Sequence, residues 1–382
     1  MLLWILFMAI MLFAAAAAVY FLVRSVHGLG FVAAISKNRR VAGWLLSTAV
    51  VLLPAVLLSF ILGIMNSVII YLHLTLAWLL TEGIRRIAAV AFKKNIRNYL
   101  SAAAALILTA AYLTVGWFQA FSVRKTTYTV TTDKNVGSLR VALLADSHVG
   151  TTFDGKGLEK YIDRIQSDKP DVVVIVGDFV DESTSKEDMI AACASLKSIE
   201  APYGTYFVFG NHDKGRYSAG RGYSGDDLAA ELGKNGVTVL TDETKLIDDR
   251  FYLVGRNDAS EELDFSGSRA GIDRLMSGLE ADKFSIILDH QPHDYDAEAA
   301  AGADLVLSGH THGGQMIPLV QLMKLFHLGG NDAVYGLERR KNTDFIVTSG
   351  ISDWALKFKT GCFSEYVIIE ITGNDAAARS GD

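Results

Sequence analysis

The sequence contains few cysteines: only Cys193 and Cys362 occur among its 382 residues. Neither belongs to a CxxC pair, which excludes a zinc knuckle and a dithiol redox motif. The chain also lacks internal repeats, Gly/Ser-rich linkers and low-complexity tracts. Half of its residues are hydrophobic and only 20% are charged, which excludes an intrinsically disordered protein. The length leaves room for two domains, each with its own core.

Acidic residues are almost absent from the first third of the chain. Residues 1–125 hold 11 lysines and arginines but a single acidic residue, Glu82, so that this part carries a net charge of +10. The remainder holds 25 basic and 41 acidic residues and carries −16. This split predicts two domains of opposite net charge that join near residue 125.

Long apolar runs occupy the basic part, and a membrane span needs about 20 apolar residues. The predicted spans are residues 1–23, 42–64, 66–84 and 101–121. The third qualifies only if it extends to Ile84. A cleaved signal peptide is the alternative for the first span. We favour a retained anchor, because no basic residue precedes its apolar stretch.

Basic residues cluster in two of the loops between these spans. They are Arg24, Lys37, Arg39 and Arg40 before the second span, and Arg85, Arg86, Lys93, Lys94 and Arg97 before the fourth. Basic loops stay on the cytoplasmic side of a membrane, and both can do so only if the third segment crosses. The sequence therefore predicts a multi-pass cell-membrane protein with an outside N-terminus, a four-helix anchor over residues 1–125 and an extracytoplasmic domain over residues 126–382.

The acidic part consists of short apolar runs that are typical of buried strands, with amphipathic helical patterns between them. The predicted strands are Leu139–Ala145, Val172–Val176, Thr205–Phe209, Phe251–Val254, Ser285–Leu288, Leu305–Leu307, Phe345–Thr348 and Tyr366–Ile371. The predicted helices include Leu158–Gln166, Lys186–Ser198 and Asp226–Leu232. This pattern favours an α/β fold in which two mixed sheets pack together with helices outside.

Polar side chains follow five of these strands. Asp146 and His148 are two residues apart, as are His310 and His312, and residues i and i+2 of an extended backbone face the same way. Each pair can therefore aim two ligands at one point. Three other strand ends would add one ligand each, namely Asp178, Asn211 and His290. Seven nitrogen and oxygen ligands suit two ions, such as Mn, Fe or Zn, that share a bridging carboxylate.

Taken in chain order, these motifs resemble those of the calcineurin-like metallophosphoesterases. The family motifs D-x-H, G-D, G-N-H-D, H and G-H-x-H stand here as Asp146-Ser147-His148, Gly177-Asp178, Gly210-Asn211-His212-Asp213, His290 and Gly309-His310-Thr311-His312. The stretch over residues 309–315, GHTHGGQ, is similar to the YkuE-type bacterial branch, which includes membrane-associated and exported enzymes. The resemblance implies a four-layer α/β/β/α sandwich, preceded here by an all-α transmembrane bundle.

The resemblance also implies a role for each residue. The ligands of one ion would be Asp146, His148 and His312, those of the other Asn211, His290 and His310, and the bridging ligand Asp178. His212 would donate a proton to the leaving oxygen or stabilise the charge of the phosphoryl group, oriented by Asp213. The chain would then be a hydrolase that cleaves phosphate monoester, diester or pyrophosphate bonds with metal-activated water.

Two other classes of function stay open. The first is a metal-dependent sensor or scaffold without turnover, against which the intact pair of His212 and Asp213 argues. The second is a transporter, against which the lack of charges inside the spans argues. The negative charge of the acidic domain argues against nucleic acid as a partner. The expected partners are a lipid bilayer and a phosphorylated small-molecule or lipid substrate, including phospholipids and lipid-linked cell-envelope phosphates.

An apolar segment, residues Met316–Phe326, directly follows the last motif. One interpretation is an ordinary core helix behind Pro318. The other is an apolar lid that touches the bilayer or a lipid tail beside the site.

Overall fold

The computed structural model describes residues 2–217, 220–317, 321, 325 and 330–374, and its contacts divide the chain into two units. The first unit comprises Met1–Phe118 together with Ala355–Lys357. The second comprises Gln119–Trp354 and Phe358–Asp382.

The first unit is helical. Its helices are α1 (Leu2–His27), α2 (Gly30–Ile35), α3 (Arg40–Leu62), α4 (Ile64–Ala91) and α5 (Asn98–Phe121). All of these except α2 contain a stretch that is long and apolar enough to cross a membrane. The third predicted span lies within the 28 residues of α4, which continue past Ile84. The four long apolar helices are therefore confirmed, while their crossing of a bilayer stays a prediction.

The only acidic residue of the first 125 lies among basic and hydroxyl partners in α4. Glu82 accepts hydrogen bonds from Arg85 at 2.6 and 2.8 Å and from Arg86 at 2.8 Å. It also accepts one from the hydroxyl of Ser101 in α5, at 2.9 Å. The two arginines lie three and four residues further along the same helix, the spacing at which side chains on one face meet. Glu82 thus forms ion pairs with both arginines at the basic end of α4.

The second unit is built from twelve strands and six α-helices among the residues described. The strands are β1 (Arg124–Thr131), β2 (Ser138–Leu144), β3 (Val172–Val176), β4 (Thr205–Val208), β5 (Val237–Val239), β6 (Glu243–Ile247), β7 (Phe251–Gly255), β8 (Phe284–Leu288), β9 (Leu305–Ser308), β10 (Gly336–Arg340), β11 (Thr343–Val347) and β12 (Glu365–Thr372). The helices are α6 (Glu159–Ser167), α7 (Lys186–Ser195), α8 (Gly225–Lys234), α9 (Ser260–Leu263), α10 (Ile272–Met276) and α11 (Tyr295–Ala300).

These strands form two mixed sheets of six strands each. The order in the first sheet is β1-β12-β2-β3-β4-β5, and that in the second is β10-β11-β9-β8-β7-β6. In the first, only the β12–β2 pair is antiparallel. In the second, the two edge pairs β10–β11 and β6–β7 are antiparallel and the other pairs are parallel. The predicted mixed sheets are confirmed.

Three apolar clusters separate four layers. The cluster between the sheets includes Leu143 and Val174 from one sheet and Leu253 and Ile286 from the other. A second cluster packs α6, α7 and α8 onto the outer face of the first sheet. A third packs α10 and α11 onto the outer face of the second sheet. Strands buried on both faces consist almost wholly of apolar residues, as in the VVVIV sequence of β3. The predicted α/β/β/α sandwich is confirmed.

The parallel strands bring their carboxyl ends to one edge of each sheet. Leu144 of β2 pairs with Ile175 of β3, and Val176 pairs with Val208 of β4. In the second sheet, Leu288 at the end of β8 pairs with Leu307 of β9. Each of the five predicted ligand motifs begins within two residues of one of these strand ends. Functional groups of open α/β sheets collect beyond the carboxyl ends of the strands.

The apolar segment Met316–Phe326 lies largely outside the described residues. Met316, Ile317, Gln321 and Leu325 are described, whereas residues 318–320, 322–324 and 326 are not. The lid hypothesis therefore stays a prediction.

Candidate metal centre

The ligand candidates lie in turns with an unusual backbone. Asp146, His148, Asp178, His310 and His312 all have a positive φ, between 34° and 68°. Such values are uncommon for residues other than glycine and cost about 1–3 kcal/mol each. The D-x-H and H-x-H pairs do converge. The prediction that they do so in extended backbone is wrong. They follow the strands in left-handed turns instead of continuing them in extended backbone.

Two glycines of the motifs allow close approach to the ligands. A Cβ atom on Gly309 would lie 2.5 Å from Asp146 Oδ2, and one on Gly177 would lie 2.5 Å from His290 Nδ1. Gly177 also has a φ of 77°, which glycine adopts without strain. Any larger residue at these two positions would push a ligand out of place.

The structure gathers the candidates into two adjacent groups. In one, Asp146, His148 and His312 offer ligand atoms within 4.8 Å of one another. In the other, Asp178, His290 and His310 do the same. Asn211, the seventh candidate, places Oδ1 3.0 Å from His310 Nδ1. All seven predicted metal ligands thus lie together, in the grouping that the resemblance implies, and their ligation of ions stays a prediction.

Asp178 lies between the two groups. Its Oδ2 is 3.5 Å from Nε2 of His148 in the first group and 3.1 Å from Nε2 of His290 in the second. Burial opposes the ionisation of this carboxyl, but His290, His212 and His148 outweigh it and hold the pKa of Asp178 well below its usual range. The side chain is only 2% exposed. It is therefore a buried carboxylate that faces both groups, as a bridging ligand must.

The donor atoms fit two divalent ions. Among the described residues, Nε2 of His148 is buried without a hydrogen bond, and Nε2 of His290 has the Asp178 carboxylate beside it at 3.1 Å. A buried group without a partner is rare unless a ligand or ion takes it up. Burial lowers the pKa of His310 to about 3 and that of His312 well below its ordinary value. Both imidazoles are therefore neutral at neutral pH, the form that binds metals. Imidazole with carboxylate and amide oxygen suits Mn, Fe or Zn without selecting among them.

Three of the histidines have a partner behind the ring. His290 Nδ1 lies 2.8 Å from Val176 O, and His148 Nδ1 lies 3.5 Å from Asp181 Oδ2. His312 Nδ1 lies 3.2 Å from Ser352 O. The hydrogen bonds of His290 and His312 fix their tautomers and leave Nε2 free for an ion, whereas His148 Nδ1 makes no hydrogen bond and has only the charge of Asp181 beside it. Sequence reasoning missed Asp181, whose signal was its place three residues after Asp178, and it missed Ser352, which has no motif.

His212 is paired with Glu182. Its Nδ1 lies 2.9 Å from both carboxylate oxygens of Glu182. Burial lowers the pKa of His212, but the charges of Asp178, Glu182 and Asp181 outweigh this effect and raise it to about 9. Its ring also lies 5.2 Å from that of Trp354. A protonated imidazole beside both ligand groups can donate a proton from Nε2.

Asp213 does not take the position expected from the resemblance. Its carboxylate accepts hydrogen bonds from the backbone N–H groups of Asp178, Phe179, Val180 and Gly210, at 2.7–3.1 Å. It therefore joins the turn after β3 to the turn after β4. The orienting role predicted for Asp213 belongs, by geometry, to Glu182. Glu182 and Asp213 both lie close to the motifs in sequence. Only the path of the turns decides which of the two carboxylates reaches the His212 ring, and the sequence does not show that path.

Comparison with known proteins agrees with this site. The family model described as "Calcineurin-like phosphoesterase" matches residues 139–314. An uncharacterized metallophosphoesterase of Aquifex aeolicus is 30% identical, over 54% of this chain and 76% of the relative. The chain belongs to the calcineurin-like metallophosphoesterases. The predicted family is therefore confirmed, and its motifs are those that build the two ligand groups.

Two further relatives extend the comparison. The uncharacterized metallophosphoesterase YkuE of Bacillus subtilis is 29% identical, over 46% of this chain and 59% of the relative. A protein of Bos taurus named "Transmembrane protein with metallophosphoesterase domain" is 30% identical, over 60% of this chain and 52% of the relative. The chain spans only 49–59% of the length of several curated relatives that it matches.

The pairing of Glu182 with His212 predicts a shift of the histidine pKa. Glu182→Gln removes the negative charge at Nδ1, so the pKa of His212 should fall from about 9 towards its ordinary value. A pH titration of ¹³C-labelled histidine signals measures this in the full chain, in detergent micelles with a metal chelator present. The His212 signal is assigned from its loss in His212→Gln.

Glu187→Gln is the matched control, because it removes an exposed carboxylate from the first turn of α7. It should leave the pKa of His212 unchanged. An unchanged pKa in Glu182→Gln itself would show that this carboxylate does not support the charged imidazole.

Proposed function

We propose that the protein is a dinuclear-metal phosphohydrolase that cleaves phosphate monoester, diester or pyrophosphate bonds. The observation that carries this proposal is the position of the Asp178 carboxylate, with Oδ2 3.5 Å from His148 Nε2 and 3.1 Å from His290 Nε2. Asp146, His148 and His312 would hold one ion, and Asn211, His290 and His310 the other. Two ions there would lower the pKa of a shared water and neutralise phosphate oxygens.

His212 supplies the acid for the leaving group. Without ions, a pKa raised to about 9 keeps a proton on its imidazole at neutral pH, and with ions bound the charge of Glu182 would still support that proton. Glu182 occupies Nδ1, so Nε2 is the nitrogen that donates to the departing oxygen. General acid catalysis by a positioned side chain contributes about 10²–10⁴-fold to the rate. This pair also argues against a sensor or scaffold without turnover, since metal binding alone has no use for a supported proton donor.

A lipid-bound phosphate is the substrate class that the sequence favours. The second unit holds all of the chain's acidic residues except Glu82. This argues against nucleic acid as a substrate, because nucleic acid binds basic surfaces. The four long apolar helices would hold the catalytic unit at a membrane, within reach of phospholipids and lipid-linked cell-envelope phosphates. The family relative of Bos taurus named as a transmembrane protein supports a membrane location.

The helices also suggest which side of the membrane the catalytic unit faces. One group of basic residues lies between α1 and α3, and a second runs from Arg85 to the start of α5. Loops rich in basic residues stay on the cytoplasmic side of a membrane. Four crossings then place the N-terminus and the catalytic unit outside the cytoplasm. We propose this arrangement as the topology of the cell-membrane protein.

Substitution of the bridging carboxylate and of the acid should separate metal binding from turnover. We expect Asp178→Asn to lose metal and activity together, because the ligand shared by both ions is weakened. His212→Ala should keep two Mn²⁺ per chain but lose about 10²–10⁴-fold in kcat. Hydrolysis of alkyl phosphate monoesters and diesters, whose leaving oxygens need a proton, measures turnover, and metal content is measured on the same samples.

Asp226→Asn makes the same chemical change on an exposed carboxylate of α8 and should match the parent protein in both measurements. Full turnover by Asp178→Asn, or parental turnover by metal-loaded His212→Ala, would reject the proposed roles.

Two single cysteines test the topology. Asp282→Cys lies at an exposed position of the catalytic unit, and Asn95→Cys lies at an exposed position between α4 and α5. In intact cells, a membrane-impermeant maleimide should label Asp282→Cys, whereas Asn95→Cys should react only after the membrane is opened. The parent is the control, because Cys193 and Cys362 are both buried. The reverse labelling pattern would place the catalytic unit in the cytoplasm.

A further inference from the structure

A fully buried lysine lies behind the metal centre. Lys359 is 0% exposed, and its Nζ is 3.0 Å from Oδ1 of Asp353, which is also 0% exposed. The ammonium donates a hydrogen bond to Ser349 O at 2.7 Å. Burying such a pair costs as much as or more than the attraction returns, so that stability alone is a weak reason for it. The neighbours of the pair indicate what else it does.

These neighbours include one metal-ligand candidate. Asp353 Oδ1 lies 3.7 Å from Nδ1 of His312, and Ser352 O lies 3.2 Å from the same nitrogen. Lys359 Nζ is 3.5 Å from that Ser352 oxygen. Lys359 therefore contacts both acceptors that face Nδ1. On the other side of the ring, Nε2 lies 3.8 Å from Asp146 Oδ1, within the first ligand group.

We propose that Lys359 is a positioning residue for the ion of the Asp146–His148–His312 group, acting through Asp353 and the Ser352 carbonyl. The lysine holds these two acceptors against Nδ1 of His312. Ser352 O accepts a hydrogen bond from Nδ1 at 3.2 Å, and the Asp353 carboxylate faces the same nitrogen at 3.7 Å as a negative charge. Together they favour the proton on Nδ1 and leave Nε2 free to bind the ion. The inference rests on the dinuclear centre proposed above.

The effect of the lysine is confined to one side of the centre. His290 takes its support from Val176 O at 2.8 Å, and His148 from Asp181 at 3.5 Å. Neither of these contacts involves Lys359 or Asp353. Loss of the lysine should therefore weaken the ion that depends on His312 and spare the one held by His290, His310 and Asn211.

Stepwise metal titration of the full chain tests this inference. Metal-free protein in detergent micelles is titrated with Mn²⁺ alone, and bound metal is counted at each step. The parent should bind two ions. Lys359→Met and Asp353→Asn should each bind one ion as the parent does and the other about 10–100-fold more weakly, the usual effect of removing support behind a ligand histidine.

Lys134→Met is the matched control. Lys134 pairs with Asp304 at 2.7 Å, beside the start of β9 and so at the opposite end of that strand from His310. The Lys134→Met variant should bind both ions with the affinities of the parent. A purely structural role for Lys359 predicts a lowered unfolding midpoint in Lys359→Met with both affinities unchanged, and that result would overturn the inference while leaving the dinuclear centre intact. A parent that binds no Mn²⁺ would overturn both.

Lys359→Met leaves a buried carboxylate without its counter-charge, which can prevent folding. The double variant Lys359→Met with Asp353→Asn removes both charges and keeps the shape of the carboxyl group. We expect it to fold and to show the same selective loss of one ion. Parental affinity for both ions in the double variant would equally overturn the role of Lys359.

Discussion

The site in the second unit depends on one buried carboxylate that faces two groups of candidate ligands. Asp178 is nearly inaccessible to solvent, and its Oδ2 faces a histidine of each group. An isolated carboxylate in such a place would be strongly destabilised. It is tolerated here because positive charge surrounds it, and two divalent ions would supply more. The left-handed turns, the glycines and the supporting carboxylates all serve to hold ligands around this group.

The two-sheet architecture explains how ligands from distant parts of the chain meet. β2, β3 and β4 end side by side in one sheet, and β8 and β9 end side by side in the other. The apolar cluster between the sheets fixes these ends relative to each other, so that short turns are enough to close the site. Asp213 ties two of these turns together through four backbone N–H groups. The rigid strands that precede these turns thus offset the backbone strain at the candidate ligands.

Sequence reasoning reached the fold and the set of candidate residues that meet at the site for a physical reason. Each motif directly follows a continuous apolar run, so that the strand, its end and the polar residue beyond it could be found together, as for Val172–Val176 and Asp178. It failed where the path of a turn decides the outcome. Glu182 and Asp213 both flank the motifs, and nothing in their spacing shows that one meets the His212 ring while the other meets backbone amides. Lys359 and Asp353 have no spacing relation to any motif, because the segment that carries them reaches the site only through the arrangement of the strands.

The central claim is that Asp178 bridges two metal ions. The most direct test is a crystal structure of the full chain grown with Mn²⁺, in which anomalous scattering locates the ions without assumption. The account predicts two anomalous peaks about 3.5–4 Å apart on either side of the Asp178 carboxylate, one at His148 and His312 and the other at His290 and His310. A single peak, or two peaks of which only one contacts Asp178, would contradict it.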